Sequence, residues 1–123
     1  MVSDFSKQAI AIMKSIPAGK VSTYGRIAAL AGDNRSARQV SRLLNSCSEK
    51  ENIPWYRIVN NRGKISLRPG NGYELQKALL EAEGVEFDEN DMINFQKFLW
   101  QPSLDELEKI KFLDEQFSNS KLR

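Results

Sequence analysis

Ile53-Pro54-Trp55-Tyr56-Arg57-Ile58-Val59, followed by Asn60-Asn61-Arg62-Gly63 and Lys64-Ile65-Ser66-Leu67, is the stretch from which the rest of the chain can be read. Pro54 restricts its own φ and the residue before it, so the loop presents Trp55 at a fixed place. Tyr56 to Val59 and Lys64 to Leu67 are short runs flanking turn residues, a pattern that predicts two strands of a short β-hairpin. Arg68-Pro69-Gly70-Asn71-Gly72 follows as a loop dense in backbone punctuation. Two upstream segments stand with this stretch: Val21-Ser22-Thr23-Tyr24-Gly25 and Ser36-Ala37-Arg38.

Around these segments the chain reads as helical. Phe5, Ala9, Ile12, Met13 and Ile16 recur at three- and four-residue spacings, predicting an opening helix from Ser3 to Ile16 that Pro17-Ala18-Gly19 ends. Ser22 or Thr23 can cap a second helix through Ala31, with Gly32-Asp33-Asn34 as the turn. A third, from about Arg35 to Asn45, turns Val40, Leu43 and Leu44 inward and carries Arg35, Arg38 and Arg42. Two short helices joined by a Gly-containing turn suggest a helix-turn-helix unit. Tyr73 to Glu83 is expected to be helical, with Leu75, Ala78, Leu79 and Ala82 on one side and Gly84 as the stop. Ser103-Leu104-Asp105-Glu106 has the capping-box pattern, and Leu104, Leu107, Ile110, Leu113 and Phe117 continue it as an amphipathic helix.

At 123 residues the chain is long enough for one domain with its own core. No apolar run approaches the roughly 20 residues needed to span a bilayer, and no secretory signal is expected at the N-terminus. The lone Cys47 precludes an internal disulfide and fits a reducing cytoplasm. The chain has no histidine, which removes His-based general bases, Ser-His and Cys-His nucleophiles and almost every zinc constellation. No cofactor or metal is expected. The net charge of +2 conceals a division. Lys20 to Arg68 holds 10 Lys/Arg against 3 Asp/Glu, whereas Pro69 to Arg123 holds 6 against 12. A basic block around the motif residues is what a phosphate-contacting surface needs.

In their order and spacing, the Tyr24, Arg38 and Trp55 segments resemble the DNA-binding domain of the O6-alkylguanine-DNA alkyltransferases, over roughly Phe5 to Gly84. That family's signature is Pro-Cys-His-Arg-Val, with the cysteine as alkyl acceptor. Trp55 stands at the cysteine position, and with the Asn60-to-Leu67 segment after it the chain is similar to the non-enzymatic alkyltransferase-like proteins. The resemblance implies a mostly helical α/β fold, winged-helix-like, with a helix-turn-helix and a short β-hairpin over 1–102. Residues 103–123 would form a helical extension packed on the same domain. It implies minor-groove binding of duplex DNA containing O6-alkylguanine, base flipping without alkyl transfer, and marking of the lesion for nucleotide excision repair proteins. A monomer in a bacterial-type cytosol, nucleoid-associated when bound, is expected.

By the same resemblance, Arg38 fills the gap left by the extruded guanine. Tyr24 crowds the adjacent phosphate and lines the lesion pocket with Trp55, Ile58 and Arg68. The Ile58 backbone helps read the guanine edge, while Arg68 probes the electrostatics of the flipped purine. Pro54, Tyr56, Arg57 and Glu83 support the loop. Tyr56 departs from the family's usual histidine, and its hydroxyl is expected to donate to Glu83. Cys47 reads as a small packed thiol. Three rivals remain open at this level: a helix-turn-helix transcription regulator reading sequence in the major groove, an alkyltransferase using Cys47, and an interaction protein using the acidic C-terminal region.

Overall fold

The structure, a computed structural model, describes residues 4–110. Four principal helices surround a minimal sheet: α1 (Asp4–Ser15), α2 (Tyr24–Leu30), α3 (Ala37–Cys47) and α4 (Tyr73–Ala82). Strands β1 (Ser22–Thr23) and β2 (Ile58–Val59) pair in parallel, with Ser22 opposite Ile58 and Thr23 opposite Val59. The short α5 (Phe95–Phe98) leads into a parallel bridge between Leu99 and Val21. Its flanking bonds run from Val21 N–H to the Phe98 carbonyl (2.9 Å) and from Trp100 N–H to the Val21 carbonyl (2.8 Å).

Strand alternation divides the interior. Ile58 faces a cluster built from Ala9, Ile12, Met13, Ile16, Ile27, Val40, Leu44 and Trp100, whereas Val59 faces one built from Val21, Ile65, Leu80, Val85, Ile93 and Phe98. The first cluster unites α1, α2 and α3; the second seats α4 and α5 against the sheet. The chain is α/β and mostly helical, as expected, but the expected β-hairpin does not form. β2 takes β1 as its partner, and the segment after it leaves the sheet. Asn60 closes a turn by accepting the Arg62 and Lys64 N–H groups on its Oδ1 (2.9 and 3.0 Å). Gly63, at φ +80°, then gives its carbonyl to Ile93 N–H (2.9 Å) rather than to a hairpin partner.

Helix ends follow side-chain chemistry. Thr23 Oγ1 accepts Arg26 N–H (3.1 Å) and caps α2. A Schellman motif ends that helix: Gly32 N–H reaches the Ala29 carbonyl and Asp33 N–H the Ala28 carbonyl. α3 starts two residues later than expected because Asp33 folds the preceding turn onto itself. Its carboxylate accepts Arg35 N–H and Ser36 Oγ, which hold it below the usual Asp range, the Arg35 amide first. Val40 and Leu44 are buried and Leu43 is half-buried, as the apolar spacing requires.

α4 is rotated from its expected orientation by one position. Its buried residues are Gln76 and Leu80; Leu75 is 56% exposed, and Ala78 and Ala82 are exposed as well. The Ser103 capping box forms, with Glu106 N–H donating to Ser103 Oγ (3.1 Å), and residues 104–110 are helical. Ile110 packs against the first cluster, while Leu104 is 79% exposed. Leu113, Phe117 and the rest of the expected C-terminal helix lie outside the described residues.

Candidate nucleic-acid interface

The loop around Trp55 is built from backbone geometry first. Pro54 (φ −73°, ψ 71°) is the centre of an inverse γ-turn, closed by Trp55 N–H on the Ile53 carbonyl at 2.8 Å. One 3₁₀ turn over Trp55–Arg57 follows, with Arg57 N–H on the Pro54 carbonyl (3.0 Å), and the chain then enters β2. The Trp55 ring is half-buried against the first cluster and meets Tyr56 edge-to-face, 5.8 Å between centroids.

Glu83 holds this loop from behind. It occupies the C-cap of α4, where a Schellman motif through Gly84 and Val85 fixes the chain. Its carboxylate accepts Gly19 N–H (3.1 Å), Tyr56 Oη (3.2 Å) and Arg57 Nε (3.0 Å), and pairs with Arg57 Nη2. Arg57 Nη1 reaches the Ile16 carbonyl at the end of α1 (2.8 Å). The guanidinium keeps the Glu83 carboxyl below its ordinary range, and the carboxylate raises Arg57 in return. Gln76 completes the frame. Its side-chain amide, 3% exposed, donates to both the Tyr56 and Ile58 carbonyls at 3.1 Å.

Tyr24 opens α2 directly after β1 and packs against the first cluster, to which Ile58 belongs and against which Trp55 also packs. Arg38 and Arg42 lie four apart on the exposed side of α3, opposite Val40 and Leu44. Neither guanidinium makes a hydrogen bond or ion pair with a described residue, and the same holds for Arg68 in its exposed loop. The result is a helix whose exposed side carries two guanidiniums without a partner among the described residues.

The family model described as the DNA-binding domain of 6-O-methylguanine DNA methyltransferase matches residues 4–85. A DNA base-flipping protein of Vibrio parahaemolyticus is 45% identical over 101 residues, covering 82% of this chain and all of that one. Alkyltransferase-like protein 1 of Schizosaccharomyces pombe is 40% identical over 92 residues, 71% of this chain and 85% of that one. The chain belongs to the alkyltransferase-like family. The same fold occurs in S. pombe Atl1, crystallised with damaged DNA containing O6-carboxymethylguanine: TM-score 0.69 at 37% identity, over 83% of this chain and all of that one. Mycobacterium tuberculosis O6-methylguanine methyltransferase aligns less closely, with TM-score 0.52 at 27% identity over 68% of this chain and 50% of that one.

Within this alkyltransferase-like chain, Tyr24, Trp55 and Ile58 share one apolar cluster, while Arg68 and Arg38 stand outside it. Ile58 is only 1% exposed, and its carbonyl already accepts the Gln76 amide. A cavity of about 730 Å³ is lined by Lys14, Ser48, Glu49, Asn52 and Ile53 to Arg57; of the expected pocket residues it touches Trp55 alone. Cys47 is half-buried on the first cluster, its Sγ 3.5 Å from Ser46 Oγ. Gln76 was not legible beforehand as a loop support. Its signal was a polar residue four before Leu80, on what proves to be the buried face of an alkyltransferase-like helix.

Proposed function

We propose that this protein recognises O6-alkylguanine in duplex DNA by flipping the base, leaves the alkyl group in place, and marks the site for nucleotide excision repair proteins. What carries the reading is the motif loop: Arg57, Glu83 and Gln76 frame it, and it displays Trp55 at the position where, by the family resemblance, the transferases carry a thiol. An indole forms no thiolate and accepts no alkyl group. The names of the relatives support flipping, and the damaged-DNA complex of the S. pombe protein supports lesion binding.

In this mechanism α3 of the helix-turn-helix enters the minor groove as a monomer, and Arg38 fills the space the guanine vacates. Its planar guanidinium stacks on bases and hydrogen-bonds the orphaned cytosine. Flipping costs a few kcal/mol, which stacking of about 1–3 kcal/mol per base offsets in large part. Tyr24, at the N-terminus of α2, presses on the neighbouring phosphate, where helix amides favour an anion. Tyr24 and Trp55 wall the pocket over Ile58, and Arg68 closes it. The cytosol is where such a complex would form.

Equilibrium binding to matched duplexes carrying guanine or O6-methylguanine at one site, at fixed salt, tests this while the methyl group is followed by intact-protein mass. Preference for the lesion with the methyl left on DNA is expected. Equal affinity for both duplexes would remove lesion recognition, and a methyl on Cys47 would make the protein a transferase.

A further inference from the structure

The loop that carries Arg68 is closed by an acidic residue on the helix after it. Asn71 N–H turns back to the Arg68 carbonyl at 2.9 Å. Gly70 N–H then donates to both carboxylate oxygens of Glu74, at 2.9 and 3.2 Å. Gly72, at φ +110°, follows as the α4 N-cap with no side-chain cap of its own, and its carbonyl receives Gln76 N–H. A Cβ there would meet Leu67 at 2.9 Å, so the loop is pressed against the residue before Arg68. Glu74 sits in the first turn of α4, where the helix dipole favours a carboxylate.

The Arg68 guanidinium makes no hydrogen bond or ion pair with a described residue. Its reach is therefore set by its backbone, and that backbone is tied to α4 through Gly70. We propose that Glu74 is a positioning residue for lesion discrimination: by holding the Gly70 amide it fixes where Arg68 meets the flipped purine. The assignment rests on the function proposed above. Glu74 also places a negative charge beside a cationic loop, so it weakens attraction to duplex phosphates in general while sharpening the choice of base. Positioning and charge are separable, because a glutamine keeps an oxygen for the Gly70 amide and loses the charge.

The test compares wild type, Glu74→Ala and Glu74→Gln for binding to the guanine and O6-methylguanine duplexes. Loss of one such bond predicts a fall of roughly three- to tenfold in the ratio of the two Kd values for Glu74→Ala. Its affinity for undamaged duplex stays equal or tightens. Glu74→Gln keeps the ratio and binds undamaged duplex more tightly, with a salt dependence to match. In an Arg68→Ala background, Glu74→Ala should lower the ratio no further. The Gly70 amide resonance should shift in Glu74→Ala and stay near its place in Glu74→Gln. An unchanged ratio in Glu74→Ala, or losses that add with Arg68→Ala, overturns the assignment. Lesion indifference in the wild type overturns the proposed function itself.

Discussion

Glu83 is the residue on which most of the loop depends, since Gly19, Tyr56 and Arg57 all donate to it. Glu83→Ala leaves the Arg57 guanidinium, its side chain 15% exposed, without its carboxylate and the Gly19 amide without its acceptor, and should cost about 3 kcal/mol, the lower end of the range for breaking a buried pair. Urea unfolding measures it. Tyr56→Phe removes one donor among several and should cost about 1 kcal/mol or less. The pH dependence follows from the same carboxylate. Its folded pKa lies below the unfolded value, so its stabilisation is present above about pH 4.3 and is lost as pH falls through the lower folded value. Unfolding followed from pH 7 to pH 3 should therefore show an acid limb that flattens in Glu83→Gln. The Tyr56–Glu83 bond was legible through the family resemblance, which sets both residues in support of the same loop. Gln76 was not, because a glutamine gives no sign of which carbonyls it will meet.

Two elements departed from their sequence patterns for physical reasons. In α4, Leu75, Ala78, Leu79 and Ala82 form the more apolar stripe, yet the buried side is set by Gln76, whose amide satisfies the Tyr56 and Ile58 carbonyls. Periodicity weighs apolar area and is blind to that demand. Gln76→Leu should preserve the packing volume, leave those carbonyls without the amide, and lower stability by about 2–3 kcal/mol. Chemical denaturation would measure the loss, and hydrogen exchange should rise in the Trp55–Val59 segment. The hairpin failed at the Gly63 turn, where alternation could not reveal that β1 would arrive as a parallel partner. Gly63 is at φ +80°, and a Cβ on it would stand 2.7 Å from the Ile93 carbonyl oxygen. Gly63→Ala should therefore destabilise by about 2 kcal/mol or more, read as a lowered thermal midpoint. By contrast, α1 and α2 formed within a residue or two of expectation among the described residues, because their stripes and caps act locally.

For the whole molecule, the division of charge predicts how binding responds to salt. The guanidiniums of Arg38 and Arg42, without a partner among the described residues, lie on one face of α3, within the basic half of the chain. Arg42→Ala should weaken binding to damaged and undamaged duplex alike and reduce the slope of log K against log salt by about 1. Arg38→Ala should instead abolish the preference for the lesion, since its proposed work begins only after the base has left the stack. Titrations of both duplexes over a salt series separate these outcomes.

The inverse γ-turn at Pro54 and the clamps behind it use the backbone of residue 55, together with the side chains of Arg57, Glu83 and Gln76. The Trp55 side chain contributes packing and a ring contact with Tyr56, and among the described residues no hydrogen bond holds it. Socket and occupant are thus separate inheritances. The side chain displayed at position 55 can therefore be exchanged while the clamps around it persist, so the frame sets where a group is shown and leaves open which group that is.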